Sequence, residues 1–365
     1  MRALLQFASV VCILPTHLHA QMDAEWRTDF TRRVVPLTEI VSGGPPKDGI
    51  PSLDKPRFET IAQAGRWLAD REPVIVVEHG NSARAYPLQI LVWHEIVNDR
   101  IGDMPIAVTF CPLCNTALVF DRRHAGRTLD FGTTGRLRHS DLVMYDRQTE
   151  SWWQQATGEG LVGTHAGDTL RMIASQTLSW RDVRLEHPTA LVLSRRTGYR
   201  REYGRNPYSG YDAPEGSPIR AFFSAKRDER LPAMERVVAV RVRREAVAYP
   251  FSALRDKRVA NDVVGAIPIV VFWTTGTASA LDRDRIAEGR DVGASGAFDR
   301  RIQGRTLTFE WKDGVFRDTQ TGSTWTLSGR AVKGPLLGTR LTALPAGDYF
   351  WFAWAVFRPD TRVWR

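Results

Sequence analysis

The chain repeats itself, and this repetition constrains its fold more than any other feature of the sequence. The segment Ala85–Leu88, read Ala-Tyr-Pro-Leu, returns 163 residues later as Ala-Tyr-Pro-Phe at Ala248–Phe251. The dipeptides Asn-Asp at 98–99 and Pro-Ile at 105–106 return at the same spacing. Ordered matches at one fixed spacing are typical of a duplicated domain. The sequence therefore predicts two tandem copies of one domain.

The boundaries of the copies follow from where the matches begin and end. Later matches, interrupted by an insertion at about 283–297, are Thr116–Leu118 with Ser279–Leu281, Phe120–Arg123 with Phe298–Arg301, and Gly126–Leu129 with Gly304–Leu307. We predict a first repeat over residues 61–195 and a second, degenerate repeat over 236–365. A segment rich in Gly, Pro, Tyr and Arg connects them over 196–235, and residues 21–60 form a Pro-rich lead-in.

Within one copy, the hydrophobic pattern is mainly that of β-strands. Pro73–Glu78 and Pro105–Phe110 are apolar, β-branched runs of strand length, and Asp141–Asp146 is a further predicted strand. Leu88–Asn98 places its apolar residues at helical spacing. The predicted fold class is therefore α+β, predominantly β, with two tandem copies of a strand-rich domain that contains a few short helices.

The first twenty residues have the pattern of a secretory signal peptide. Arg2 precedes the apolar stretch Ala3–Pro15, and Leu18–Ala20 resembles a small-residue cleavage site. The apolar stretch is shorter than the ~20 residues that a membrane-spanning helix needs, and no later stretch is apolar enough to span a membrane. We predict that residues 1–20, with Cys12, are removed and that the protein is periplasmic or secreted.

The net charge of +9 does not by itself indicate a nucleic-acid partner. Arginines supply this charge, and they are spread along the chain, mostly beside acidic residues. A nucleic-acid-binding protein would show a basic stripe with interleaved aromatic residues or a known motif, and the sequence has neither. Phosphate-binding loops, dinucleotide-binding glycine patterns and zincin histidine pairs are also absent. The partner left open is a small molecule or a periplasmic protein.

The repeat provides an internal control, because positions alike in both copies serve the fold and polar positions found in one copy are candidates for chemistry. Four such positions in the first copy stand against a different residue in the second: Cys111 against Thr274, Cys114 against Thr277, His94 against Lys257, and Met144 against Phe316. Every histidine outside the first twenty residues lies between positions 79 and 187. The reactive centre therefore belongs to the first copy.

The Cys-Pro-Leu-Cys motif at Cys111–Cys114 lies between two predicted strands. A thioredoxin-like motif starts a helix, whereas a Cys-x-x-Cys turn between strands points two thiolates at one metal ion. Further ligands are needed, and His94 is the first candidate because its helix leads into the strand that ends at Cys111. Met144 is the second candidate. Cys, His and Met ligands suit Cu(I), so copper is predicted before zinc, which would instead recruit a carboxylate such as Asp141.

Two alternatives stay open. In the first, Cys111 and Cys114 form the redox disulfide of a metal-free thiol–disulfide protein. In the second, the pair is a structural disulfide and a cleft between the copies holds a ligand or partner, with Asp141 and Tyr208 as candidate cleft residues. For Asp141 the sequence favours a turn or capping role, because Asp313 occupies the matching place in the second copy. Copper or zinc is the cofactor of the metal hypothesis, and neither alternative implies a cofactor.

Three segments of the first copy, Trp93–Asp99, Thr109–Cys114 and Ser140–Arg147, form a specific set of motifs. Together with Tyr203–Tyr208, they resemble the uncharacterised bacterial and archaeal family catalogued as domain of unknown function 3179, over roughly residues 55–340. The resemblance implies an exported or membrane-linked protein and brings no established activity. The family has Asn where this chain has His139, which leaves four matching candidate ligands: His94, Cys111, Cys114 and Met144.

Overall fold

The computed structural model describes residues 25–365, so the signal peptide predicted over residues 1–20 lies outside the described residues. The described chain is strand-rich, with far more residues in strands than in helices, which confirms the predicted α+β, predominantly β class. It contains five short α-helices: α1 (Ile61–Ala64), α2 (Leu88–His94), α3 (Trp180–Glu186), α4 (Phe251–Lys257) and α5 (Trp351–Ala355). None of these helices is long and apolar enough to cross a membrane.

The first half of the chain forms three larger sheets. Its strands are β1 (Ile40–Ser42), β2 (Phe58–Thr60), β3 (Pro73–His79), β4 (Ser82–Pro87), β5 (Ile96–Ile101), β6 (Met104–Cys111), β7 (Thr116–Asp121), β8 (Arg123–His124), β9 (Arg127–Thr128), β10 (Phe131–Arg138), β11 (Asp141–Asp146), β12 (Trp152–Gln154), β13 (Gly160–Val162), β14 (Met172–Ile173), β15 (Gln176–Ser179) and β16 (Leu191–Leu193). The sheet orders are β1-β10-β11-β12-β13, β14-β7-β6-β5 and β15-β3-β4-β16-β2, beside a small β8-β9 ribbon. The lead-in thus supplies the edge strands β1 and β2.

The second half follows a similar order of elements. Its strands are β17 (Arg236–Val242), β18 (Glu245–Pro250), β19 (Val259–Val264), β20 (Ile267–Thr274), β21 (Ala294–Asp299), β22 (Arg301–Ile302), β23 (Arg305–Thr306), β24 (Phe309–Lys312), β25 (Val315–Asp318), β26 (Thr324–Trp325), β27 (Ala331–Lys333), β28 (Thr342–Ala343), β29 (Ala346–Phe350) and β30 (Arg362–Val363). The sheets are β29-β17-β18-β30, β19-β20-β21-β28 and β24-β25-β26-β27, with a β22-β23 ribbon. Val74 pairs with Pro87, and Val237 pairs with Pro250, in agreement with the 163-residue spacing.

Strands β3 and β17 are buried on both faces, which explains why their sequences are nearly continuous apolar runs. Val74 and Val76 of β3 pack into a cluster with Phe272 of the second half. In the reverse direction, Val237 and Ala239 of β17 pack into the main cluster of the first half. Each half therefore completes a hydrophobic core of the other, and the first of these cores contains the cysteine pair.

The helix predicted over Leu88–Asn98 is shorter in the structure and ends at His94. Glu95 adopts a positive φ of 56°, and the chain then continues as strand β5, in which β-branched Ile96 and Val97 favour extended backbone. The carbonyl oxygen of Glu95 accepts a hydrogen bond from the backbone N–H of Phe110, at 2.8 Å. This early reversal buries the Glu95 side chain beside the end of β6.

Candidate metal centre

The cysteine motif forms a tight turn between two buried strands, as predicted. Strand β6 ends at Cys111, one turn of 3-10 helix spans Pro112–Cys114, and Asn115 reverses the chain with a φ of 51°. Cys111 then pairs with Thr116 at the start of β7. Both cysteines are buried free thiols. The turn therefore holds two sulfur atoms in the core, and no α-helix begins at Cys111 to lower the pKa of the first thiol.

The β10–β11 hairpin brings a third group to this turn. Asp141 pairs with Arg138 at the end of the hairpin, and its carboxylate and the sulfurs of Cys111 and Cys114 lie within 4.8 Å of one another. The sulfur of Cys111 also lies 3.8 Å from the carbonyl oxygen of Ser140. The turn or capping role favoured for Asp141 is therefore wrong: the residue begins a strand and directs its carboxylate at the thiols.

A difference in hairpin length explains this error. The hairpin of the first half spans 131–146, whereas the matching hairpin of the second half spans only 309–318. Asp313, the sequence match of Asp141, is a turn residue with a φ of 52°, because Lys312 already pairs with Val315. The longer hairpin carries the chain past that point and reaches the cysteines. The sequence contained a signal for this difference, because the first half has more residues than the second between the two strands of this hairpin.

The extended hairpin is fixed by the lead-in. A register shift between Thr133 and Arg136 bulges β10, and Gly135 in the bulge has a φ of 71°. The carbonyl oxygen of Gly135 accepts a hydrogen bond from the N–H of Gly43, at 2.8 Å. A Cβ atom at Gly135 would lie 1.9 Å from the carbonyl oxygen of Pro45, so only glycine fits this contact.

The second half has neither the cysteines nor their turn. Thr274 pairs with Ala294, so a long loop over residues 275–293 stands where the first half has its tight turn. Strand β21 begins at Ala294, which makes the sequence match of Thr116–Leu118 with Ser279–Leu281 wrong. The insertion therefore lies earlier than the sequence indicated, at the very place of the cysteine motif.

The Asp141 carboxylate is only partly satisfied by hydrogen bonds. Its Oδ2 accepts from the backbone N–H of Ala156, at 2.9 Å, and from the side-chain amide of Gln154, at 2.5 Å. Its Oδ1 is buried and, apart from the adjacent thiols of Cys111 and Cys114, has no hydrogen-bond partner among residues 25–365. Burial raises the pKa of Asp141 to about 6. A buried carboxylate without a cation beside it is costly, and this one lies next to the two sulfurs.

The neighbouring acidic groups are also shifted toward their protonated forms. Burial raises the pKa of Cys111 and raises that of Cys114 well above its usual value, and the charge of Asp141 adds to both effects. Burial and the charge of Asp141 raise the pKa of Glu95 to about 8. Four acidic groups thus share one buried region, and none of them is hydrogen-bonded to a Lys, Arg or His of the described chain.

The connecting segment covers this region. The Tyr211 hydroxyl donates to the carbonyl oxygen of Leu113, at 3.0 Å, and the N–H of Ser140 donates to the carbonyl oxygen of Phe222, at 2.8 Å. Burial raises the pKa of Tyr208, and the nearby charges of Glu95 and Cys111 add to the effect, which places Tyr208 at the edge of the site. The cysteine pair is therefore enclosed by the segment that joins the two halves.

The structure does not bring His94 into the Cys-Cys-Asp group. Its Nδ1 lies 2.8 Å from the carbonyl oxygen of Pro51, and its Nε2 lies 2.7 Å from the Tyr203 hydroxyl. Burial lowers the pKa of His94 to about 4, so the ring is a neutral, fully hydrogen-bonded core residue. Met144 is also buried, and it pairs with Thr133 and Trp153 in the main hydrophobic cluster.

One cavity between the halves lies away from the cysteine pair. A polar cavity of about 880 Å³ opens between them, and its lining includes Glu78, His187 and Arg340. Glu78 forms an ion pair with Arg340, at 2.6 Å, and one of its carboxylate oxygens lies 3.4 Å from Nδ1 of His187. Asp141 and Tyr208, which were predicted as cleft residues, do not line this cavity.

Glu95 is the residue of the site that the sequence interpretation missed. The repeat contained a signal for it, because Arg258 stands 163 residues later at the same left-handed helix end, with a φ of 65°. An acidic residue found only in the first half, next to a buried strand, met the same criterion as the two cysteines. Glu95 also lies inside one of the motifs that carry the family resemblance.

The turn between β10 and β11 stores strain that a substitution should release. His139 and Ser140 have φ values of 52° and 69°, the geometry of a type I′ turn, for which Asn-Gly is the preferred pair. Replacing both residues, as His139→Asn with Ser140→Gly, should raise the free energy of unfolding in urea by about 1 kcal/mol. The control is Asp313→Asn, because Asp313-Gly314 already has the preferred chemistry and should change little. An unchanged or lower stability in the double variant would contradict this explanation.

Comparison with known proteins gives one match. A family model described as "Protein of unknown function (DUF3179)" matches residues 47–361. No curated protein and no solved structure matches the chain. The match covers both halves and the segment between them.

Proposed function

The chain belongs to the DUF3179 family, and we propose that it binds one metal ion, zinc before copper, through Cys111, Cys114 and Asp141. One observation carries this proposal: two thiols and a carboxylate, all buried, lie within 4.8 Å of one another in the core. Thiolates and carboxylates are charged when they act as ligands. Buried charges of one sign require a compensating charge, and the described side chains around the group do not provide a hydrogen-bonded cation.

The donor set supports zinc over copper. Cu(I) prefers soft sulfur and imidazole ligands, and the copper hypothesis depended on His94 and Met144. Because both His94 nitrogens are already hydrogen-bonded, the carboxylate of Asp141 takes its place in the proposed set. Zinc accepts thiolate and carboxylate ligands together and commonly takes four ligands in all. Three protein ligands leave a fourth position for water or another group.

A metal-free dithiol is the second candidate, because both cysteines are free thiols and Asp141, with a pKa of about 6, could accept a proton from Cys114. Two observations weigh against it. The raised pKa values of both thiols oppose formation of the reactive thiolate. Burial beneath the connecting segment also denies a protein disulfide direct access to either sulfur.

Elemental analysis of protein exported to a bacterial periplasm tests the proposal. In a chain that carries His124→Ile and His165→Leu, which removes the other candidate ligands of the described chain, we expect about one zinc or copper ion per chain, as in a mononuclear site, and loss of that ion in Cys114→Ser. The matched control is His94→Gln, which should keep the metal. Metal loss in the His94 variant would return His94 to the ligand set, and absence of metal from the parent protein together with a Cys111–Cys114 disulfide would overturn the metal proposal.

We further infer that the two halves are copies of one domain, with approximate bounds of 61–195 and 236–365. The matching element order and the 163-residue agreement in hairpin register support this inference. In this view the second copy is a structural partner that has no metal ligands. Export through the signal predicted over residues 1–20 would place the protein in the periplasm or outside the cell.

A further inference from the structure

We propose that His124, His165 and Asp168 form a second metal site, independent of the cysteine pair. The Nε2 atom of His124 and the Nδ1 atom of His165 each lie 2.9 Å from the same oxygen, Oδ2 of Asp168. One ligand atom from each of the three residues lies within 4.8 Å of the other two. The fold has thus gathered two imidazoles and one carboxylate from positions about forty residues apart in the chain.

Two loops meet to form this group. His124 lies at the end of β8, and His165 and Asp168 lie in the turn that follows β13. The two imidazole rings are edge to face with centroids 4.7 Å apart, and each ring lies 5.4 Å from the ring of buried Trp153. Packing against Trp153 limits the rotation of both imidazole rings.

The group is partly open to solvent. The side chains of His124 and His165 are 18% and 10% exposed, whereas that of Asp168 is 47% exposed. An ion could therefore enter from the Asp168 side and retain water or a small ligand in its remaining positions. Although both histidines lie in or beside loops, the structure places both rings against the buried ring of Trp153.

The second half shows what the fold requires at this place. Its turn carries the same backbone hydrogen bonds: the N–H of Thr339 donates to the carbonyl oxygen of Leu336, just as that of Asp168 donates to His165. Leu336 and Ile302 stand where the first half has His165 and His124, and both pack against an apolar cluster that contains Trp325. Apolar side chains are therefore sufficient for packing at these two positions. Packing alone does not explain why the first half has histidines there.

The donor chemistry identifies the ligand class. Two imidazole nitrogens with one carboxylate oxygen, and open positions on the ion, are the ligands of many catalytic zinc sites. Imidazole also suits other borderline divalent ions such as Co²⁺ and Ni²⁺. We therefore assign the site to a divalent transition-metal ion, with zinc as the reference ion. Because this set has no sulfur, its spectroscopic signature differs from that of the cysteine site.

The experiment is a Zn²⁺ and Co²⁺ titration of the full chain with Cys111→Ser and Cys114→Ser, so that the cysteine site cannot contribute. We expect about one equivalent of zinc to bind. Adding His124→Ile and His165→Leu, the residues of the second half, should weaken binding by more than the roughly 10–100-fold that loss of an outer-shell partner costs. Asp168→Asn, at an exposed position that tolerates change, is a second variant and should also weaken binding.

The matched control is His79→Leu, because exposed His79 pairs with Asp103 at 2.9 Å without a second imidazole. This variant should bind zinc like its parent. Failure to bind zinc in the Cys111→Ser, Cys114→Ser chain, or equal binding after the His124 and His165 substitutions, would overturn the second site. Metal binding at the cysteine site is tested separately. A chain that keeps both cysteines and lacks His124 and His165 should show sulfur-to-cobalt charge-transfer absorption when Co²⁺ binds there.

Discussion

An Asp141→Asn variant is expected to bind zinc at the cysteine site at least about 100-fold more weakly than the parent, since loss of a ligand should exceed the loss of an outer-shell partner. Asparagine has nearly the same shape and can still accept the hydrogen bonds from Ala156 and Gln154. It lacks the negative charge and the anionic oxygen that the ion would bind. The effect therefore reports coordination more than folding, and competition with a chromophoric chelator measures it when parent and variant both carry His124→Ile and His165→Leu, so that the second site does not contribute.

The control for this prediction is Asp348→Asn. Asp348 is a second core aspartate whose pKa burial raises to about 6, and its carboxylate accepts a hydrogen bond from Ser295 at 2.9 Å. It belongs to neither group of candidate ligands. Its replacement should alter stability without altering zinc affinity. Equal zinc binding by Asp141→Asn and the parent would remove Asp141 from the ligand set.

A Glu95→Gln substitution should flatten the pH dependence of stability in the metal-free protein. The pKa of Glu95 is about 8 in the folded chain, against an ordinary value of 4.5. The folded state therefore holds an extra proton between these values, and the stability linked to that proton is complete below pH 4.5 and is lost as the pH rises to 8. The slope from this one group is at most about 1.4 kcal/mol per pH unit.

Urea unfolding between pH 5 and 8 with a chelator present measures this slope in both proteins. The glutamine variant keeps a neutral side chain at every pH, so its stability should fall less steeply than that of the parent. Zinc provides the control, because a bound cation favours ionised Glu95 and should reduce the slope of the parent. Identical slopes in parent and variant, both with chelator, would show that the pKa of Glu95 is not raised in the folded chain.

The sequence predicted the features that depend on neighbouring residues. The strands around Cys111–Cys114 and the turn itself follow from local apolar runs broken by a proline-containing motif. The register of distant segments was harder to predict. Asp141 reaches the thiols only because its hairpin is longer than its counterpart, and a match based on residue identity assigned it to a turn.

The helix end shows a second limit of local reasoning. His94 and Glu95 are adjacent, but the positive φ at Glu95 sends their side chains to different surroundings. His94 binds Pro51 and Tyr203, while Glu95 lies near the thiols. Periodicity could not indicate where the helix would end, because the apolar pattern of Leu88–Asn98 continues into a strand that is buried as well.

The mutual completion of the two cores has a consequence for how such a protein can change over generations. A chain ending near residue 235 would lack Val237, Ala239 and Tyr349, and the core that holds the cysteines would be open to water. The second half can therefore function without histidine or cysteine, but the first half needs its apolar surface. Its persistence in the gene needs no chemical activity of its own, only the apolar surface that its neighbour requires.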